Sequence, residues 1–191
     1  MSDWETLVRQ DGMVSGRIIW PLSECCVEAT LFSILSAPGN TIPGVAKGIT
    51  YYPFTLDHDF TIRTLFWENG SVASGNVAVG VYDADTKAKI IDTGSTGMVG
   101  TNTIQQVSVA TTIITPGHYY LAGSVDNTTA RLFGWSLGSA NNFPWGRIAG
   151  IVNELIVGTF ALPATATPVA LSNSVSLGFL PLVGLSELTA I

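Results

Sequence analysis

The sequence predicts an all-β protein, an antiparallel β-sandwich of jelly-roll type with a short N-terminal arm and an extended C-terminal excursion. Three observations carry this. Hydrophobic residues make up 47% of the chain and charged residues only 12%, about half the roughly 25% of an ordinary soluble domain. A helical bundle needs more Glu, Lys and Arg on its exposed faces than that. From Ile49 onward the apolar residues recur with period two, which is strand spacing. Turn signals, drawn from 20 Gly and 9 Pro, recur about every 8–12 residues, the rhythm of a sandwich.

The elements follow in order. Ser2 and Glu5 have capping-box spacing, Trp4, Leu7 and Val8 fall on one helical face, and Gly12 ends the segment. So short a helix is unstable alone; it either frays or docks on its own chain or a neighbour. Residues 14–22 and 27–35 read as strands, and Pro38, Gly39, Pro43 and Gly44 mark a loop. Residues 1–48 thus form an arm with leading strands, and 49–191 form the sandwich.

Within the sandwich, 60–67 alternates, with Phe60, Ile62, Thr64 and Phe66 on one side and Thr61, Arg63, Leu65 and Trp67 on the other. Residues 76–82 place Val77, Val79 and Val81 opposite Ala78 and Gly80. A turn at 83–86 leads into 87–92. A longer strand spans 103–114, with a bulge expected near Gln105 and Gln106. Pro116 and Gly117 turn the chain into 118–126, and 131–135 completes the run. Short connections imply antiparallel pairing.

Beyond Trp135 the character changes. Residues 132–191 carry only Arg147, Glu154 and Glu187 as charges. The stretch 136–174 shows no sustained period and reads as a long excursion, with 175–183 returning as a last strand. Its apolar content implies order by packing, along its own domain or across a subunit boundary. Phe143, Trp145, Ile151, Leu155 and Phe160, together with Trp4, Leu7 and Val8, are the expected partner contacts.

Several classes are disfavoured. Hydrophobicity this high argues against disorder. A net charge of -6 argues against phosphate-neutralising nucleic-acid binding. No apolar run reaches the roughly 18–20 residues of a spanning helix; 148–162 contains Asn153, Glu154 and Gly158. The acidic start lacks the basic n-region and apolar h-region of a signal peptide, so synthesis in a cytosol is expected. Adjacent Cys25 and Cys26 read as reduced structural thiols.

No catalytic, cofactor or metal site is expected. The two His, His58 and His118, sit at turns, and Gly94-Ser95-Thr96-Gly97 is not a nucleophile elbow. Asp57 with Asp59, and Asp83 with Asp85, could supply carboxylates for hydrolysis or Ca²⁺. Asp accepting bonds from turn amides is the better reading. Trp20, Tyr51, Tyr52, Phe54, Trp67, Tyr119, Tyr120, Trp135 and Trp145 could build a sugar platform. Alternation within strands assigns most of them to a core. The doublets Tyr51–Tyr52 and Tyr119–Tyr120 put one ring on each face, leaving one of each free for a subunit or ligand.

Tyr51-Tyr52-Pro53-Phe54, Phe60-Thr61-Ile62 and Val79-Gly80-Val81-Tyr82-Asp83 are followed by Asp92-Thr93-Gly94-Ser95. Thr115-Pro116-Gly117-His118-Tyr119-Tyr120-Leu121-Ala122 and Leu162-Pro163-Ala164-Thr165-Ala166 continue the series. In order and spacing, across roughly 49–170, this resembles a family of tailed-bacteriophage virion β-sandwich proteins of the capsid decoration and fibre type. The resemblance implies a structural virion role and no enzymatic activity. Many such relatives carry the domain at the end of a long fibre. Here 48 residues precede it without a shaft repeat, which favours a compact protein on the capsid surface. The expectation is a homotrimeric capsid decoration (cement) protein, made in the host cytoplasm and located in the virion. It would contact itself and the major capsid protein or another virion protein. The alternative is a tail-fibre, spike or adaptor protein binding host-surface glycan.

Overall fold

The computed structural model describes residues 18–19, 39–41, 46–136, 151–156, 158–170 and 179–190. The expected N-terminal helix with Trp4, Leu7 and Val8, the strand at 27–35, Cys25 and Cys26, and Phe143 and Trp145 lie outside them. Among the described residues there is no helix, and the chain is all-β. Its strands are β1 (Ile18–Ile19), β2 (Gly39–Thr41), β3 (Gly48–Leu56), β4 (Phe60–Glu68) and β5 (Asn76–Asp83). After them come β6 (Lys89–Asp92), β7 (Thr96–Gly97), β8 (Ile104–Ile114), β9 (Gly117–Val125) and β10 (Leu132–Ser136). The last are β11 (Val152–Leu155), β12 (Val169–Ala170), β13 (Phe179–Pro181) and β14 (Val183–Ser186).

Two antiparallel sheets pack as a sandwich. One runs β1-β14-β4-β8; the other runs β12-β11-β3-β9-β5-β6, with β7 also on β5. A small third sheet joins β13, β10 and β2. Between the two main sheets, β8 lies over β6, β4 over β5 and β14 over β9. The core is filled from both sides, by Tyr52, Phe54, Val77, Val79, Val81, Leu121 and Val125 against Phe60, Ile62, Leu65, Trp67, Val183 and Leu185. Burial of such side chains is the main driving term of the fold. The Tyr52 hydroxyl, buried with its ring, donates to the Pro181 carbonyl at 2.7 Å, which satisfies the one polar atom that the ring carries inside.

β5 keeps the expected alternation, with its valines inside and Ala78 and Tyr82 on the opposite face. β4 does not. Its register against β8 shifts between Ile62 and Thr64, so Phe60, Ile62, Leu65 and Trp67 all reach the core. An irregularity changes which face the following residues present, and strict period two therefore assigns Leu65 and Trp67 to the wrong side. On β8 the same irregularity falls between Ser108 and Thr112, not near Gln105 and Gln106. Thr64 and Phe66 then point away from the core and are nonetheless buried. Gly184 lies against Phe66 so closely that a Cβ there would come within 2.1 Å of the Phe66 ring.

The C-terminal third also differs from expectation. The stretch 136–174 is not irregular throughout: β11 pairs with β3, and β12 with β11. The expected single last strand is two short ones in different sheets, β13 on β10 and β14 on β4. Leu182 separates them, its amide donating to Phe133 and its carbonyl accepting from Glu68. Strands of two to four residues are too short to show a period.

Candidate interaction surface

The outer face of the larger sheet carries Ile49, Tyr51, Ala78, Tyr82 and Ala122. Ile156, Leu162 and Ala166, from a strap that follows β11, bury it with Phe160 packed alongside. Gly80 allows that approach, since a Cβ there would meet Leu162 at 2.8 Å. Polar bonds then pin the strap. The Tyr82 hydroxyl donates to the Pro163 carbonyl at 2.8 Å, and the Lys89 ammonium to the Leu162 carbonyl at 3.0 Å. Glu154 accepts from the Tyr51 hydroxyl at 2.7 Å and from the Thr167 amide and hydroxyl at 2.8 Å. Burial, reinforced by Glu154, pushes the Tyr51 phenol far above its ordinary range. Burial, with Asp92 and Glu154 nearby, does the same to Tyr82. These phenols are neutral donors, fixed in place.

The strap corrects the expectation that one tyrosine of each doublet faces outward freely. Tyr51 points outward but is covered, its ring edge-on to Tyr82 at 5.4 Å. Tyr120 is half-buried, with the Lys87 ammonium 4.9 Å from its ring centre. Tyr52, Phe54, Trp67 and Tyr119 are core residues.

The carboxylates serve turns. Asp83 Oδ1 accepts from the Asp85 amide at 2.9 Å, the Thr86 amide at 2.7 Å and the Thr86 hydroxyl at 2.9 Å. The Thr86 amide foremost holds the Asp83 carboxyl below its ordinary value. Burial alone would raise Asp126, but hydrogen bonds from Asn76 and Asn127 outweigh it and the carboxyl is lowered. Asp57 contacts His58 on an exposed turn, and His118 Nδ1 meets the Thr55 hydroxyl at 3.0 Å. Among the described residues no three His, Cys, Asp or Glu gather as a metal site, and no helix is long and apolar enough to cross a membrane.

Among the described residues the large exposed hydrophobics are Val99 (72%), Ile113 (64%), Val169 (53%), Ile104 (51%) and Leu155 (51%). Ile104 and Ile113 lie on β8, which among the described strands pairs with β4 alone. Val99 lies in the loop before it. That loop is held stiffly by Asn69, fully buried, whose Nδ2 donates to the Val99 carbonyl at 2.8 Å and to Gln105 Oε1 at 3.0 Å. Asn69 Oδ1 accepts from the Trp67 indole at 2.8 Å. Leu155 and Val169 lie at the other end of the larger sheet, on β11 and β12.

Of the expected partner contacts, Leu155 is exposed, Phe160 is half-buried within the strap, and Ile151 is spent in the chain's own core. Ile151 precedes a strand that joins the larger sheet, and its side chain packs inward. Val99, Ile104, Ile113 and Val169 were not among the expected contacts. Their signal is present in the sequence: residues 93–125 contain no Asp, Glu, Lys or Arg, and neither do 155–186. No protein-family model matches the chain, and no curated protein matches it in sequence.

Proposed function

We propose that this protein is a structural component of a tailed-phage virion, a homotrimeric decoration (cement) protein that stabilises the head by surface contacts. The observation that carries the reading is β8, an uncharged strand of 11 residues that pairs with β4 alone among the described strands and exposes its own Ile104 and Ile113. A long uncharged edge strand is a template for another chain, and soluble monomers normally blunt such edges with charge, proline or a covering loop. The order of strand-and-turn motifs across 49–170, which resembles virion sandwich proteins, supplies the setting. Its partners are further copies of itself and the major capsid protein or another virion protein. A glycan-binding fibre tip would need exposed rings; among the described residues Tyr51, Tyr52, Phe54, Trp67 and Tyr119 are buried and Tyr120 is half-buried, which favours the structural reading.

Two measurements test this. Light scattering of the purified chain should give a trimer that persists at micromolar concentration, and a monomer there would sink the reading. Labelled virions should carry the chain on the head at a copy number approaching that of the capsid protein; a tail location would refute it.

A further inference from the structure

Asn69 and Gly70 form the single Asn-Gly pair of the chain. In an unfolded chain such a pair readily loses its side-chain amide, because glycine has no Cβ to crowd the approach of its backbone nitrogen to the preceding side chain. The sandwich opposes that reaction at each atom it needs. The nucleophile, the Gly70 nitrogen, is buried and gives its proton to the Arg131 carbonyl at 2.7 Å. The electrophile, Asn69 Cγ, belongs to a side chain that is 0% exposed. Its Oδ1 is held by the Trp67 indole, and its leaving group, Nδ2, is engaged by both the Val99 carbonyl and Gln105 Oε1. The backbone is pinned as well: the Asn69 amide donates to the Thr103 carbonyl at 2.8 Å, and the Gly70 carbonyl accepts from the Asn102 amide at 2.9 Å. Ring closure requires the side-chain bonds and the Gly70 bond to break together.

We propose that Asn69–Gly70 is a modification site gated by folding, inert in the sandwich and converted to aspartate or isoaspartate when the chain just past β4 opens. Water is the only co-reactant. Hydroxide takes the Gly70 amide proton, the nitrogen bonds to Asn69 Cγ, and the Cγ–Nδ2 bond breaks as ammonia leaves with a proton from water. A second water opens the resulting succinimide at either carbonyl. The product does not fit the fold. A carboxylate has no proton for the Val99 carbonyl or Gln105 Oε1, and it sets a charge where the amide was fully buried. Isoaspartate also adds a methylene to the main chain at the residue that bridges Leu132. A chain that lingers unfolded is thereby marked and kept from the native state, whatever its assembly.

The test incubates the full-length chain in mildly alkaline buffer, with and without guanidinium chloride. Mass spectrometry follows the tryptic peptide 64–87, and a zero-time sample corrects for digestion. Asn76 lies in the same peptide and is followed by Val77, whose branched Cβ hinders ring closure, so it serves as the internal reference. In denaturant Asn69 should convert much faster than Asn76. Without denaturant its conversion should slow at least about a hundredfold, the scale of breaking two or three buried hydrogen bonds at once. Gly70→Ala, followed in denaturant where folding plays no part, should bring Asn69 down toward the rate of Asn76. Asn69→Asp, which mimics the converted chain, should unfold at a lower guanidinium concentration than the wild type or not fold at all. Any of three results overturns the proposal: equal conversion of Asn69 with and without denaturant, conversion no faster than Asn76 in denaturant, or an Asn69→Asp variant as stable as the wild type.

Discussion

Asn69 shows how one side chain can organise a surface it never reaches. Fully buried, it takes the Trp67 indole proton and gives its own two protons to Val99 and Gln105. Gln105 in turn accepts from the Val99 amide and donates to the Gly97 carbonyl, each at 2.8 Å. Replacing Asn69 with Ala strands the indole and the Val99 carbonyl at once. The expected loss is about 2–3 kcal/mol, because unpaired buried polar groups lose hydration without recompense. Urea unfolding followed by tryptophan fluorescence would measure it, and a change below 0.5 kcal/mol, the size of an ordinary surface substitution, would contradict the network. Asp83 offers a pH test. Its carboxyl is lowered from an ordinary 3.8, so its contribution is present above that value and disappears as pH falls through the lowered one. Asp83→Asn should therefore melt earlier than the wild type at pH 7, with the gap closing in acid. An unchanged gap on acidification would show that the turn is held by geometry alone.

At the scale of the element, the strap and β8 are opposites. The strap has no regular period, yet it buries Tyr51, Tyr82 and Ala122 and is fixed through Glu154, Tyr82 and Lys89. Glu154→Ala removes three of those bonds. Amide exchange at 162–167 should accelerate by about tenfold, or 1.4 kcal/mol, while β5 and β9 amides stay protected. Equal acceleration throughout would mean that the strap opens only with the whole sandwich. β8 has the opposite character: from Ile104 to Ala110 exposed and half-buried residues alternate, before the irregularity that precedes Thr112. Strand type and turn positions were legible here because alternation and Pro/Gly punctuation are local. The irregularity opposite Arg63 was not, since it reflects how β4 and β8 fit each other across the sheet. β11 and β12 were missed for a related reason: four and two residues acquire strand geometry only by pairing.

For the molecule as a whole, the apolar excess has two destinations among the described residues. Part of it, Ile156, Leu162 and Ala166, covers the chain's own sheet. Another part, at Val99, at Ile104 and Ile113 on β8, and at Leu155 and Val169, faces outward. In the proposed trimer, association through apolar surface should be indifferent to salt, since screening acts only on charge. Light scattering of the wild type should give the same mass in 0.1 M and 1 M NaCl; dissociation by salt would point to an ionic contact instead. The sequence by itself determined that the fold is all-β, that Val77, Val79 and Val81 share one face, and that the stretch after Arg131 is apolar and poor in charge. Only the tertiary structure decided which of that surface is already covered. Covering depends on contacts between residues far apart in the chain, such as Tyr51 with Glu154 and Gly80 with Leu162, and no local pattern records them.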